Sequence, residues 1–269
     1  MAPPEAVAVT EQAQRGSARG RTPTTRRRNT GPGRPASPAA RMVGGLGELF
    51  ITLGVLLGLF VVWQLWWTDV EGTRAAASIV SQFEESLPDS PEVAGTPQQG
   101  DPPAAVAVGN AQRFGTLLVP DWGPGYEVPI AEGVGRSDVL DVGPVGHYPS
   151  TAMPGQVGNF ALAGHRQTYG KPFFAIDTLS PGEALIVQTA AAWYVYRVTG
   201  TEIVSPDDVG VVAAVPGDPA ASPTERMITL TTCHPLWSTA ERYVVHGVLD
   251  YWVDRADGRP AELIDAGGA

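Results

Sequence analysis

The sequence predicts an all-β barrel or sandwich carried on a single membrane-spanning helix, and three observations predict it. Residues 49–67 form an uncharged apolar run of bilayer length. Beyond residue 105, short β-branched and aromatic runs alternate with Gly, Pro and Asp. The 269 residues include 32 Gly and 25 Pro but only 17% charged residues, a composition rich in turns.

The charge is unevenly spread. Residues 1–45 hold eight Arg against Glu5 and Glu11, whereas the whole chain has a net charge of -10. An acidic body of this kind repels phosphate backbones, and the basic arm reads as a disordered cytoplasmic tail, so no nucleic-acid partner is expected. Next comes the span, assigned to 46–68. As a helix, 49–67 would be about 28 Å long, with Trp63, Trp66 and Trp67 clustered where indole rings favour the headgroup region. Arg26, Arg27, Arg28, Arg34 and Arg41 precede it and Asp69 and Glu71 follow, which orients the N-terminus to the cytoplasm and the remainder outside the plasma membrane. Ala75, Ala76 and Ala77 offer a signal-peptidase-like site, but the apolar run exceeds an ordinary signal core and the triplet lies well past it, so an uncleaved anchor is expected.

Residues 69–104 read as a stalk. Ala76, Ile79, Val80 and Phe83 suit a short amphipathic helix over 69–87, and 88–103 hold five Pro and no aromatic residue, as a linker does. A domain over 105–255 and a polar tail over 256–269 follow. Strands are predicted at 114–119, 126–130, 157–163, 184–188, 193–198, 227–232 and 242–252, with a helical piece around 172–179. Within 193–198, alternation sets Trp193, Val195 and Arg197 on one face and Tyr194, Tyr196 and Val198 on the other. The Pro, Gly and Asp-rich segment 205–224 is long enough to be a functional surface loop.

The chemistry-bearing candidates gather at strand ends. Cys233, the only cysteine, rules out a disulfide framework or a multi-cysteine metal site, and with four His a zinc enzyme is not expected. It ends the 227–232 strand with Pro235 cutting off the ladder, and period two puts Thr229, Thr231 and Cys233 on one face. A lone Cys is usually an inert packing residue, but an unpaired one in an exported protein calls for a reactive thiol or an intermolecular bond. A thiol nucleophile needs a group that handles protons and a donor for the charge that develops on the attacked carbonyl. His165 follows the 157–163 strand, and Arg242 opens the strand after the 235–241 loop, so an antiparallel return would set it beside Cys233. His246 stands four residues beyond Arg242, roughly 13 Å at strand rise, too far to serve the same thiol. His234 points to the opposite face from Cys233 and reads as a rim residue, and His147 is a weaker alternative base. Asp207 and Asp208 alone are too little for a calcium site.

Thr229-Leu-Thr-Thr-Cys233-His-Pro with Arg242 downstream, Gly164-His165-Arg166 upstream and an N-terminal anchor closely resembles the sortases, cysteine transpeptidases of Gram-positive bacteria. Gly146-His147-Tyr148-Pro149, Pro154-Gly155-Gln156, Gly158-Asn159 and Ala163-Gly164-His165-Arg166 look like class E of that family, over approximately 115–252. The resemblance implies an eight-stranded sortase-type β-barrel with short helices, preceded by one transmembrane helix. It implies Cys233 as nucleophile, His165 as proton donor to the leaving amine, and Arg242 as stabiliser of substrate or oxyanion. A sorting signal similar to Leu-Ala-x-Thr-Gly or Leu-Pro-x-Thr-Gly would be cleaved between Thr and Gly through a thioacyl enzyme, and the exported protein passed to a cell-wall precursor amine. Tyr148 and Thr232 are then the expected substrate contacts, and no cofactor or metal is expected. A pilus-polymerising sortase and a non-catalytic wall-binding module are the alternative readings. The first commonly carries a C-terminal membrane helix, where 256–269 is polar, and the second would leave Cys233 unreactive.

Overall fold

The computed structural model describes residues 37–103 and 105–265. Most of the Arg-rich tail expected at 1–45, and positions 266–269 of the expected polar tail, lie outside the described residues.

Helix α1 (Pro38–Ser86) joins the apolar run and the amphipathic stretch without a break. No proline falls within 39–87, so nothing in the sequence removes a backbone donor from that ladder. Its large apolar side chains from Met42 to Trp67 are exposed, and by length and composition it can cross a membrane. Further along, Gly72, Ala76, Ile79 and Val80 are buried at helical spacing against the domain. Gly72 fits into a notch, where an added Cβ would stand 2.4 Å from the Tyr169 carbonyl carbon. Lys171 Nζ pairs with Asp69 at 3.0 Å beside it. Part of the stretch read as a stalk, 69–104, is thus seated on the domain. Its linker is held as well: Gly95 N–H donates to the Arg259 carbonyl at 2.8 Å, and Gln98 exchanges backbone bonds with Trp252 at 2.7 and 3.1 Å.

Eight strands close into a barrel: β1 (Arg113–Leu118), β2 (Glu127–Glu132), β3 (Val145–His147), β4 (Gly158–Ala163), β5 (Ala184–Thr189), β6 (Ala192–Val204), β7 (Arg226–His234) and β8 (Glu241–Asp254), in the spatial order β1-β2-β3-β4-β7-β8-β6-β5. The β2–β3 and β4–β7 pairs are parallel and the others antiparallel. Every predicted strand is present. The added one, β3, is too short to show a period, and only its neighbours β2 and β4 make it a strand. The helical piece expected around 172–179 is a single 3-10 turn, Ile176–Thr178.

The interior is built from one face of each strand: Phe160, Leu162, Tyr194, Tyr196, Val198, Ile228 and Leu230 are almost fully buried together. The opposite face of β6 fills a second cluster, in which Trp193 and Val195 meet Ile186, Tyr251 and Val253. A short C-terminal helix, α2 (Ala261–Asp265), lays Leu263 on this outer cluster, so part of the expected polar tail is packed. The 205–224 loop contains a 3-10 turn, Val209–Val212. It rests on β4, where Asn159 Nδ2 donates to the carbonyls of Val211 and Ala213 at 3.4 and 3.1 Å.

Candidate active site

Strand registry assembles the site. In the parallel β4–β7 pair Ala163 lies opposite Thr231. Pairing continues past the end of β4, because Gly164 N–H donates to the Thr231 carbonyl at 3.1 Å and Thr232 Oγ1 donates to the Gly164 carbonyl at 2.7 Å. The next residue of that chain, His165, is thereby brought level with Cys233. On the other side of β7, Cys233 is the direct partner of Arg242 in β8. Imidazole, thiol and guanidinium thus come from three neighbouring backbone segments, each about 5 Å from the next at sheet spacing. Leu230 is in the core, so period two turns Thr229, Thr231 and Cys233 to the outside of the barrel wall. All three candidate residues line one cavity of about 440 Å³ with Tyr148, Gln167 and Thr239.

Cys233 is a free, half-buried cysteine. His165 begins a tight loop that returns at Phe173, whose N–H donates to the His165 carbonyl at 3.0 Å. Gly164 permits this turn, since a Cβ there would meet the Phe173 ring at 2.7 Å. The His165 ring lies against Tyr169, centroids 5.1 Å apart, and its Nε2 faces Asp141 Oδ1 at 2.7 Å. Arg242 Nη1 donates to the carbonyls of Thr239 and Glu241 at 3.2 and 2.9 Å, tying the guanidinium to the β7–β8 loop.

The other expected residues divide. Tyr148 lines the cavity, its hydroxyl 3.0 Å from Thr231 Oγ1. Thr232 is nearly buried and its hydroxyl is occupied by Gly164, so it acts as a clasp between strands as well as part of the wall. His147 does not line this cavity. It is 2% exposed, stacked on Phe160 with centroids 5.1 Å apart, and both nitrogens are bonded, Nδ1 to Glu132 and Nε2 to Thr151 and Ala152. His246 bridges Thr229 and Glu202 away from the thiol. His234 accepts from Arg166 Nη1 at 2.7 Å through Nδ1 and sits against Tyr243.

The sortase domain family model matches residues 117–250. Sortase SrtE2 of Streptomyces coelicolor is 34% identical over 225 residues, covering 80% of this chain and 85% of that protein. The chain belongs to the sortase family. Sortase SrtE1 of the same organism is 37% identical over 239 residues, 86% of this chain and 64% of that longer relative. Among solved structures, the SrtA sortase from Actinomyces oris is 47% identical, covering 62% of this chain and 96% of its own with a TM-score of 0.60. Sortase E1 from Streptomyces coelicolor, with a tripeptide in its active site, is 40% identical, covering 57% and 97% with a TM-score of 0.53. Fold and class E likeness therefore agree with the sequence reading.

Sequence reasoning missed three residues around the candidate site: Asp141 and Tyr169, which contact His165, and Arg166. Arg166 is 2% exposed and braces the site from below, reaching Asp177 at 2.7 Å, His234, and the face of Tyr243. Its place beside His165 in Gly164-His165-Arg166 was a signal available in the sequence. For Asp141 no local pattern exists, because its partner is 24 residues away.

Proposed function

We propose that the protein is a membrane-anchored cysteine transpeptidase that acts on exported proteins bearing a C-terminal sorting signal. The observation that carries this reading is the registry that sets His165, Cys233 and Arg242 on adjacent backbone segments around one open cavity. The Cys233 thiolate adds to the carbonyl carbon of the signal's Thr, and the electrons displaced onto oxygen face the Arg242 guanidinium, which cannot lose its charge. As the C–N bond to Gly breaks, the protonated His165 gives its proton to the departing amine and a thioester remains on Cys233. An incoming amine, deprotonated by the neutral His165, then displaces the thiolate and forms a new amide. A thioester conserves the energy of the peptide bond, so no nucleotide is required.

Tyr148 is the proposed reader of the signal upstream of Thr, since its ring lines the cavity next to the β7 end. The signal is of the Leu-Ala-x-Thr-Gly or Leu-Pro-x-Thr-Gly type and the acceptor is an amine of a peptidoglycan precursor. The apolar part of α1 holds the enzyme at the plasma membrane, with the Arg-rich segment in the cytoplasm and the barrel outside.

The test uses the full chain in phospholipid nanodiscs with a labelled Leu-Ala-x-Thr-Gly peptide and an amine acceptor, and the product identified by mass. Wild-type protein is expected to yield the amine adduct, whereas Cys233→Ala and His165→Ala fold but turn over at least about 10³-fold less. Turnover by Cys233→Ala at the wild-type rate refutes the reading.

A further inference from the structure

His165 has a carboxylate partner that the family likeness does not assign. Asp141 Oδ1 stands 2.7 Å from His165 Nε2, both side chains being about four-fifths buried at 22% and 16% exposure. An ionised carboxylate only accepts, so Nε2 carries the hydrogen of this bond and the lone pair of the neutral ring resides on Nδ1. Among the described residues, no protein group bonds Nδ1. Nδ1 is thus the nitrogen free to exchange a proton with a substrate.

Asp141 is itself held on several sides. It lies in a 3-10 turn, Leu140–Val142, where its N–H donates to the Arg136 carbonyl at 2.7 Å and the N–H groups of Val139 and Leu140 both reach the Gly135 carbonyl. Arg136 Nη2 approaches the second carboxylate oxygen at 3.4 Å, but Arg136 is 70% exposed, so this pair adds little by itself. The turn ends at Gly143, φ +122°, where a Cβ would be 3.1 Å from Ala76 N of α1. Tyr169 packs against the imidazole, the rings tilted by 30°, while the backbone of Tyr169 and Gly170 receives Gly72 of the same helix. The two elements that fix His165 therefore both rest on α1.

We propose that Asp141 is a positioning residue that holds His165 in the Nε2–H tautomer with Nδ1 directed to the reaction. The proposal rests on the reading of His165 as the proton-transferring group. In the acylation step the proton on Nδ1 moves to the departing amine nitrogen as its bond to the Thr carbonyl carbon breaks. The ring returns to its neutral form with Nε2–H still donating to Asp141, which accepts a hydrogen bond throughout and takes no proton. This is the role of the orienting acid in an acid–imidazole–nucleophile arrangement.

The experiment compares Asp141→Ala, Asp141→Asn and Asp141→Glu with the wild-type full chain in nanodiscs, using the same peptide and amine. For Ala and Asn, kcat is expected to fall by about 10- to 10⁴-fold with KM within about twofold, and Glu to restore a part of the loss, the span between losing an outer partner of a metal-bound imidazole and losing the orienting Asp of a nucleophile–imidazole–acid triad. The ring ¹⁵N signals of His165, identified as those lost in His165→Ala, report the tautomer: Nε2–H in the wild type and a mixture in Asp141→Ala. Asn is isosteric with Asp, so it keeps the test open if the Ala variant fails to fold. A kcat within twofold of wild type, or a lower kcat with an unchanged tautomer, overturns the proposal. If His165→Ala itself turns over normally, the reading of the site has failed instead, and the two failures are thereby told apart.

Discussion

Among the described residues each of the four histidines faces a carboxylate, and the two shortest pairs, His165 with Asp141 and His147 with Glu132, have nearly equal separations of 2.7 and 2.6 Å. They differ in what surrounds the second ring nitrogen. His147 lies between Phe114 and Phe160 with Nε2 engaged by Thr151 and the Ala152 carbonyl, so every polar atom of the ring has a partner within the fold. His165 has one nitrogen bonded and one left over, beside a thiol and a guanidinium at the wall of an open cavity. Saturation suits the first histidine to a structural post, and incompleteness suits the second to the proton transfer proposed for it.

The largest expected break in this comparison comes from exchanging losses. His165→Ala should abolish turnover of the labelled peptide by at least about 10³-fold while leaving the denaturant midpoint near wild type. His147→Ala should do the reverse, lowering stability by about 2–4 kcal/mol through a cavity between two aromatic rings and a Glu132 carboxylate left without its partner. Chemical denaturation followed by tryptophan fluorescence reads the second effect. A stable His147→Ala protein without activity would erase the distinction.

A moderate effect is expected where α1 meets the catalytic loops. Gly72→Leu places a side chain where not even a methyl fits, so the Tyr169–Gly170 backbone, and with it the ring beside His165, must shift. We expect kcat to fall by up to about 10²-fold, as misplacement of a reactive group without its removal gives, with unfolding still cooperative. Gly54→Leu, at an open position of the same helix, is the matched control and should leave turnover unchanged.

The smallest effect concerns a half-buried carboxylate that has no histidine. Burial pushes Glu127 up to about 6 against the pull of Thr116, Arg255 and Arg259. The folded state then retains the proton where the unfolded chain has released it, so stability is greater below the unfolded value of 4.5 and declines as pH rises from there through about 6. The decline should amount to about 1–2 kcal/mol and be absent in Glu127→Gln, as measured by denaturant midpoints across that range. A rise over the same interval would contradict the assignment.

Legibility in the sequence followed the range of the interaction that decides each feature. Strands β5, β6 and β7 announce themselves through β-branched and aromatic runs, and the faces of 193–198 follow from period two because that rule is local. The Cys233 and Arg242 pair was legible because a short hairpin connection returns one strand beside the other. His165 was legible as the end of an apolar strand, although its placement beside Cys233 needs the parallel β4–β7 contact that crosses two intervening strands. Asp141 and β3 were not legible: a carboxylate in a turn and a three-residue strand gain their meaning only from partners far away in sequence. The docking of α1 was hidden for a related reason, since Gly72 in a helix reads as a weak helix former until the backbone that presses on it is seen.

That notch at Gly72 makes the connection between rod and barrel a fitted joint. An apolar segment borrowed from another protein could supply hydrophobic length, but it would not seat unless it carried a residue without a side chain at the same height and facing. Chimeras that exchange this portion should accordingly succeed or fail on one position, however well the rest of the graft suits a bilayer.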